Sequence, residues 1–235
     1  MVDEARVAVR GGNPRVALWF GLLVGALLLV GCGGGGGGGS GATSGVQELV
    51  LVPGKMTQEG SSDMDILFAS AKGTGISGGW IENQQGVKLP GSDLLFESVT
   101  GRYERLLTRT TDGFPPGTYV LKYLQGGETK EYKPHPLSWT VLPRFPSAPV
   151  KMWDAFSRTL TVQFSPIPGA AVRYFLRLYN PNTGVLRKET FDTAGTEIRE
   201  YVPDSGELQV MLVGDIREGD SLKARILHFF QPSPF

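Results

Sequence analysis

Apolar and polar positions alternate along most of the chain after residue 45. In the stretches RTLTVQF, YFLRLY and ELQVMLV, every second side chain is apolar. A period of two places these side chains on one face of a β-strand, and hardly any segment here has a helical period. Clusters of Gly, Pro, Asn and Asp, which favour turns, separate the short apolar runs. The pattern therefore predicts an all-β chain.

A proline-rich segment divides this β region. LPRFPSAP, residues 142–149, contains three prolines, and proline cannot donate a hydrogen bond to a sheet. We interpret the segment as a hinge between two β-sandwich domains, 46–143 and 144–235. The second domain has seven short strand-like runs, a number typical of a two-sheet sandwich. These runs are VKMWDAF, RTLTVQF, AVRYFLRLY, GVLRKETF, TEIREYV, ELQVMLVG and LKARILHFF.

The first domain has a similar texture but less regular spacing. FPPGTYVLKYL, residues 114–124, predicts a Pro-Gly turn followed by a strand. LSWTVL, residues 137–142, is the expected final strand. GTGISGGW, residues 73–80, contains too much glycine for a strand interior to be expected there.

The N-terminal region has the pattern of an export signal. Arg6, Arg10 and Arg15 precede the uncharged apolar run VALWFGLLVGALLLV, residues 16–30. As a helix this run would measure about 22 Å, whereas the hydrocarbon core of a membrane is about 30 Å thick. Residues 1–31 are therefore predicted to be a cleaved signal peptide rather than a permanent membrane helix.

The end of the apolar run resembles a bacterial lipobox. Its residues are Leu29, Val30, Gly31 and Cys32, and Cys32 is the single cysteine of the chain. The resemblance implies cleavage before Cys32 and attachment of diacylglycerol and fatty acids to that residue. Two or more such chains anchor a protein stably in a membrane without a spanning helix. The alternative, a buried structural thiol, would need apolar neighbours that the following glycines do not supply.

Residues 32–45 follow as a glycine-rich segment. Such a segment behaves as a flexible coil that spans roughly 20 Å. In lipoproteins an Asp directly after the cysteine often marks retention at the inner membrane. Gly33 stands at that place, so we expect location in the bacterial cell envelope, at the outer membrane if the cell has two membranes.

The second domain resembles the fibronectin type III family. The segment SAPVKMWDAFSRTLTVQFSPIPGAAVRYFLRLYNPNTG has the family's early proline, its FSPIPGA-like connection and its Tyr at the third strand. Phe164 replaces the usual Trp, and Leu208 replaces the usual Tyr of the sixth strand. The segment FPPGTYVLKYL resembles the late strand of immunoglobulin-like modules. Together these resemblances imply two tandem immunoglobulin-like β-sandwich domains.

The charge balance argues against nucleic acid as a partner. The chain has 23 basic and 23 acidic residues. The signal peptide contains three Arg, one Asp and one Glu, which leaves 20 basic and 21 acidic residues. With no net positive charge and no basic cluster, nucleic-acid binding is not expected.

Recognisable catalytic motifs are absent from the sequence. It contains no GxSxG, HExxH or phosphate-binding loop motif. His135 lies between two prolines, and a structural role is expected for His228 in the last long strand. Asp63 and Asp65 are expected to face solvent. We therefore predict a non-enzymatic protein with no cofactor and no metal site.

Two further groups are candidates for binding. GDIREGDSL places Asp215, Glu218 and Asp220 between the last two strands, and in fibronectin type III domains this loop commonly contacts partners. Plain turn residues are the alternative. The three carboxylates supply only part of the six or more oxygens of a calcium site. Exposed tryptophans would also indicate binding, but two of Trp80, Trp139 and Trp153 are expected in the core.

These features predict a lipid-anchored envelope protein that is attached to the membrane through Cys32. Its body is expected to bind or scaffold another envelope protein or a glycan. Two alternatives remain: a passive spacer on the cell surface, and an accessory of a carboxylate-based hydrolase. The second alternative requires two carboxylates that face each other at roughly 5 to 10 Å across a cleft.

Overall fold

A computed structural model describes residues 45–61, 63–109, 113–191, 195–203, 206–231 and 233–234. In these ranges the chain consists of β-strands joined by turns and loops. No helix in the described ranges is long and apolar enough to cross a membrane. Residues 1–44 lie outside them, so the signal peptide, the lipobox and most of the linker remain predictions.

The strands follow one another as two groups of seven and a short terminal strand. The first group is β1 (Val46–Gln58), β2 (Met64–Gly73), β3 (Ile76–Glu82), β4 (Leu95–Glu97), β5 (Arg102–Arg109), β6 (Val120–Gln125) and β7 (Glu128–Tyr132). The second is β8 (Val150–Asp154), β9 (Thr159–Gln163), β10 (Ala171–Tyr179), β11 (Leu186–Phe191), β12 (Glu197–Tyr201), β13 (Glu207–Glu218) and β14 (Ser221–Phe229). The terminal strand is β15 (Ser233–Pro234), which pairs with β13.

Both groups have immunoglobulin-like connectivity. In the first group β1-β2-β5-β4 form one side and β3-β6-β7 the other. If the seven strands are lettered A to G, this is the ABED and CFG arrangement of constant-type domains. In the second group β8-β9-β12 face β11-β10-β13-β14, an ABE sheet against a CFG sheet with one added edge strand. The predicted all-β fold of two sandwiches is confirmed by this topology.

Each sandwich has its own apolar core. Leu51, Leu67 and Leu121 are fully buried in the first core, between the two sheets of the first group. Leu160 and Leu176 are fully buried in the second. Alternate residues of each strand face these cores, as the period of two in the sequence predicts.

A tyrosine fixes the corner before β6. The hydroxyl of Tyr119 donates a hydrogen bond of 2.8 Å to the carbonyl oxygen of Pro115. A Tyr at the start of strand F that bonds back to the upstream backbone is a hallmark of immunoglobulin-like sandwiches. Trp139 packs against the ring of Tyr119 at 5.8 Å and donates from Nε1 to the carbonyl of Ile66 at 2.7 Å.

Two details of the first domain differ from the sequence prediction. LSWTVL is not a strand, because the hairpin partner of β6 is β7 and Trp139 anchors the LSWTVL segment across β2 instead. The glycine-rich segment does contain a strand, β3. A Cβ atom on Gly79 would lie 2.4 Å from the carbonyl oxygen of Lys122 in β6. Glycine is therefore what allows β3 and β6 to approach each other there.

The two sandwiches share one sheet. The first strand of the first group, β1, pairs in parallel with the last strand of the second group, β14, from Gly54 opposite Arg225 to Gln58 opposite Phe229. The resulting sheet runs in the order β11-β10-β13-β14-β1-β2-β5-β4. Residues 142–149 form no strand, as expected. The domain limits at 46–143 and 144–235 stay a prediction. The two sandwiches are joined by the β1–β14 backbone hydrogen bonds as well as by the segment 142–149.

The shared sheet curls strongly about the β1–β14 pair. Strands β10 and β5 are five positions apart in the sheet, which is about 24 Å if the sheet were flat. Nevertheless Nη1 of Arg177 on β10 lies 2.7 Å from Oε1 of Glu104 on β5. The outer faces of the two sandwiches therefore meet in a trough, which is filled by a third apolar cluster. This cluster includes Met56, Ile66, Phe175, Met211, Val213 and Leu227.

Candidate ligand-binding pocket

Arginine and phenylalanine side chains alternate within the trough. The guanidinium carbon of Arg225 lies 3.7 Å from the ring centroid of Phe68 and 5.5 Å from that of Phe175. Arg177 lies 5.6 Å from the same Phe175 ring on its own strand. These distances are within the range of cation–π attraction, which is strongest where water is excluded. The stack links β2 of the first sandwich to β10 and β14 of the second.

Carboxylates neutralise the two buried arginines. Arg225 binds both carboxylate oxygens of Asp215, at 2.6 and 2.8 Å. Arg177 binds both oxygens of Glu104, at 2.7 and 3.1 Å, and one oxygen of Glu189 at 2.7 Å. Such bidentate pairs fix the planar guanidinium in position. Burial alone lowers the pKa of Arg177, but Tyr179 and the two glutamates together raise it above its usual value.

A polar pocket opens at one end of the trough. Its volume is about 330 Å³, at the lower end of the range for small-molecule sites. Charged side chains from both sandwiches line it. The arginines are Arg102, Arg173, Arg177, Arg217 and Arg225, and the carboxylates are Glu48, Glu189, Asp215 and Asp220. The lining therefore carries one more positive than negative charge.

Two of the lining arginines have no carboxylate partner within the described part of the chain. Among the described residues, no acidic side chain lies within ion-pair distance of Arg173 or Arg217. Arg173 is exposed and stacks over the ring of Phe191 at 4.0 Å. Arg217 donates to the backbone carbonyl oxygen of Asp220. Both guanidinium groups thus retain free donors next to the pocket.

A third arginine is only partly satisfied. Nη1 of Arg102 lies 3.5 Å from Oε2 of Glu48, and both residues line the pocket. The Nε atom of Arg102 is buried and has no hydrogen-bond partner in the described part of the protein. A buried donor without a partner carries a desolvation cost that a bound acceptor removes.

The local sequence of β10 explains why these side chains converge. In AVRYFLRLY, Tyr174, Leu176 and Leu178 face the core of the second sandwich, while the intervening residues 173, 175 and 177 face the trough. The alternation of apolar residues predicts the first set as core, whereas it predicts no role for the second. The sequence does contain a signal for the pocket: Arg173 and Arg177 occupy alternate positions of a strand that is otherwise rich in apolar residues.

The sequence-predicted site residues are placed as follows. Leu29, Val30, Gly31 and Cys32 lie outside the described residues. Glu218 ends β13, and Asp220 lies in the following turn and lines the pocket. Their proposed role in partner contact is untested.

The structure corrects the placement of Asp215. Instead of lying in the loop, it lies within β13, is 5% exposed and is bound by Arg225. The strand β13 is longer than the run ELQVMLVG suggests, because it continues alongside β14 as far as Glu218. Both Asp215 oxygens are therefore engaged inside the trough rather than presented to a partner.

The paired aspartates near the start of β2 also differ from expectation. Asp63 accepts a hydrogen bond of 2.7 Å from Thr57 and pairs with Arg144 at 2.6 Å, and Asp65 pairs with Lys55. Their side chains are only 20% and 16% exposed. They connect neighbouring segments, and the expectation that they simply face solvent is wrong.

The tryptophan and histidine candidates differ in burial. Two of Trp80, Trp139 and Trp153 are expected in the core, but only Trp139 is buried, and Trp80 and Trp153 are half-buried. His228 is buried, and His135 is exposed. No group of three or more His, Cys, Asp or Glu side chains is placed to hold a metal ion in the described ranges.

Comparison with known proteins finds similarity only at the level of solved structures. No protein-family model and no curated protein matches the chain. A cytokine receptor complex is 12% identical over 80% of this chain and 95% of its own, with a TM-score of 0.32. The titin tandem immunoglobulin domains A164-A165 are 16% identical over 79% of this chain and 97% of their own, with a TM-score of 0.25. Latent dimeric PorU from Porphyromonas gingivalis is 11% identical over 80% of this chain and 20% of its own, with a TM-score of 0.27.

Proposed function

We propose that this protein is a lipid-anchored, non-enzymatic binding protein of the bacterial cell envelope. Its ligand is another envelope protein or a glycan, which it holds at the pocket between the two sandwiches. The observation that supports binding is the pocket itself, where Arg173 and Arg217 present donors that no carboxylate of the described residues pairs with.

The position of the pocket fits an anchored protein. Gln47 and Glu48 line it, and they stand directly after the glycine-rich linker that ends at residue 45. In the sequence, the pocket lining therefore begins close to Cys32, the proposed lipid anchor.

Two of the four carboxylates that line the pocket are engaged by buried arginines, which favours binding over hydrolysis. A glycosidase of the carboxylate type needs two acidic groups with oxygens directed at the substrate. Both oxygens of Asp215 are bound to Arg225, and Oε2 of Glu189 is bound to Arg177. These two carboxylates hold the arginines in place and are not free to act on a substrate.

The alternative, a passive spacer on the cell surface, has its own supporting observation. Parallel pairing of β1 with β14, together with the ion pair of Arg177 and Glu104, joins the two sandwiches at their backbones and across the trough. A protein that only separates surfaces would use such a joined body without filling the pocket. The binding role and the spacer role therefore make different predictions for substitutions in the pocket. Only the binding role predicts that these substitutions reduce capture of a partner.

Capture in living cells tests the binding role. The source bacterium would express the tagged full-length chain, and cross-linked material would be identified by mass spectrometry. We expect a reproducible envelope protein or glycan, and we expect Arg173→Gln with Arg217→Gln to reduce its recovery. Arg199→Gln is the matched control, because Arg199 lies on β12 with a side chain that is 70% exposed. Equal recovery by the pocket variant and the wild type would contradict binding at the pocket, and the absence of any reproducible partner would favour the passive spacer.

Membrane fractionation tests the anchor separately. The wild type should stay with membranes after a high-salt wash, and Cys32→Ala should be released or remain unprocessed. A Cys32→Ala protein of mature size that still sediments with washed membranes would contradict the lipid anchor.

A further inference from the structure

We infer that the pocket binds an acidic saccharide, with a sugar carboxylate held by Arg173 and Arg217. The inference rests on the proposed binding function and names the class of ligand for the same pocket. It is carried by three observations: the unbalanced charge, the mixture of donors and acceptors, and the way in which Arg173 is held.

Uncompensated positive charge at the mouth favours an anionic group. Asp215 neutralises Arg225, and Arg177 is held by Glu189 and by Glu104, which lies outside the lining. Arg102 pairs with Glu48, so the lining leaves Arg173 and Arg217 with the single carboxylate of Asp220. Guanidinium groups bind carboxylates in a planar, two-point geometry, which makes a carboxylate a fitting occupant.

The acidic residues of the pocket indicate that the ligand also has hydroxyl groups. A simple anion site would be weakened by neighbouring carboxylates, yet Glu48 and Asp220 lie at the same mouth and are partly or fully exposed. Each sugar hydroxyl donates one hydrogen bond and accepts others, so it fits between a carboxylate and a guanidinium. Gln47 adds an amide that can do both.

The pocket has little in common with peptide-binding grooves. Peptides are usually recognised along an open strand edge or through apolar anchors that enter a groove. Here the lining side chains come from several adjacent strands of the shared sheet, of which only β11 is an edge strand, and charged groups dominate the lining. Its volume of about 330 Å³ suits one small polar unit rather than an extended segment.

Aromatic stacking holds the guanidinium of Arg173 in position. Its guanidinium stacks on Phe191 at 4.0 Å, and Phe191 in turn packs against the buried ring of Phe175 at 5.4 Å. This stacking restricts the side chain while it leaves the edge of the guanidinium free to donate. A group that is ordered before binding loses less entropy when the ligand arrives.

Calorimetric titration of the full-length protein in detergent tests the inference. The probes are galacturonate oligomers, N-acetylmuramic acid and N-acetylneuraminic acid, with methyl-esterified galacturonate and maltotriose as neutral counterparts. We expect at least one acidic sugar to bind, and its neutral counterpart to bind at least about tenfold more weakly. Arg173→Gln and Arg217→Gln should each weaken binding by about tenfold or more, while Arg199→Gln should leave it unchanged.

Three results would overturn the inference. Neutral sugars that bind as tightly as acidic ones would remove the role of the carboxylate. Sodium acetate or phosphate that binds as tightly as the sugars would indicate a simple anion site. No binding by any acidic sugar, combined with arginine-dependent capture of an envelope protein in cells, would overturn the saccharide and leave the proposed function intact.

Discussion

The guanidinium of Arg225 on β14 lies 3.7 Å from the ring centroid of Phe68 on β2. The two residues belong to different sandwiches, and both are nearly fully buried. Their contact lies beside the parallel pair of β1 and β14. Arg225 therefore takes part in backbone pairing, in a cation–π contact and in the ion pair with Asp215. Interactions that are this close are expected to depend on one another.

Replacement of Arg225 by Met should destabilise the protein strongly. The variant leaves Asp215 buried without its partner, and removal of one partner of a buried pair costs about 3–5 kcal/mol. We expect a loss of this size in the free energy of unfolding, measured by urea denaturation. Because the trough joins the two sandwiches, the loss should be seen by probes in both.

The double variant Arg225→Met, Asp215→Leu separates the ion pair from packing. If the unpaired carboxylate causes the loss, the second change should restore most of the stability, since a buried pair is often replaceable by apolar residues. Phe156→Ala is the surface control, because that side chain is fully exposed. An Arg225→Met protein as stable as the wild type would contradict the importance of the trough.

Gly54 should tolerate no side chain. A Cβ atom at this position would lie 2.0 Å from the carbonyl oxygen of Arg225 and 2.6 Å from a side-chain carbon of Ile66. Gly54→Ala should therefore push β1 away from β14 and cost about 1–3 kcal/mol of stability. Hydrogen exchange should show faster exchange in the paired residues of β1 and β14.

Gly206→Ala provides the matched comparison. A Cβ atom there meets nothing within 4 Å, and we expect stability within about 0.5 kcal/mol of the wild type. If both variants were equally stable, the close parallel pairing at Gly54 would be refuted.

The strands of the second sandwich were readable from the sequence because each has a local period of two. The pairing of β1 with β14 could not be predicted from the sequence. It joins Gly54 to Arg225, and the sequence near either residue gives no sign of a distant partner. The pocket depends on that pairing, and Arg173 and Arg217 therefore gave no recognisable motif. The glycine content of residues 73–80 predicts no strand, but pairing with β6 makes β3 a strand. Gly79 is required for that pairing because its backbone lies close to Lys122.

Tyr119→Phe should weaken the first sandwich by a modest amount. The change removes one hydroxyl, and with it the 2.8 Å hydrogen bond to the carbonyl of Pro115. Such a bond contributes about 0.5–1.5 kcal/mol net. Tyr201→Phe is the control, because the Tyr201 side chain is exposed and its loss of a hydroxyl leaves no buried group without a partner. Equal thermal unfolding temperatures for the two variants would show that the corner bond contributes nothing.

His228 should make the protein less stable in mild acid. It lies on β14 between Thr57 of β1 and Leu212 of β13, with its ring 4.7 Å from that of Phe230. Burial lowers its pKa below the usual value of about 6.5, although nearby Glu59 opposes the shift. The unfolded chain therefore takes up a proton at a higher pH than the folded protein. Stability from this group is complete above about pH 6.5 and falls as the pH decreases toward the folded pKa.

The measurement is urea unfolding of wild type and His228→Gln between pH 8 and pH 5.5. Between these limits the wild type should lose more stability than the variant, because glutamine has no proton to gain. His135→Gln should behave like the wild type, since His135 lies exposed in a loop outside the shared sheet. Parallel curves for the wild type and His228→Gln would contradict the prediction, because the β1–β14 pair would then accommodate a charged imidazole.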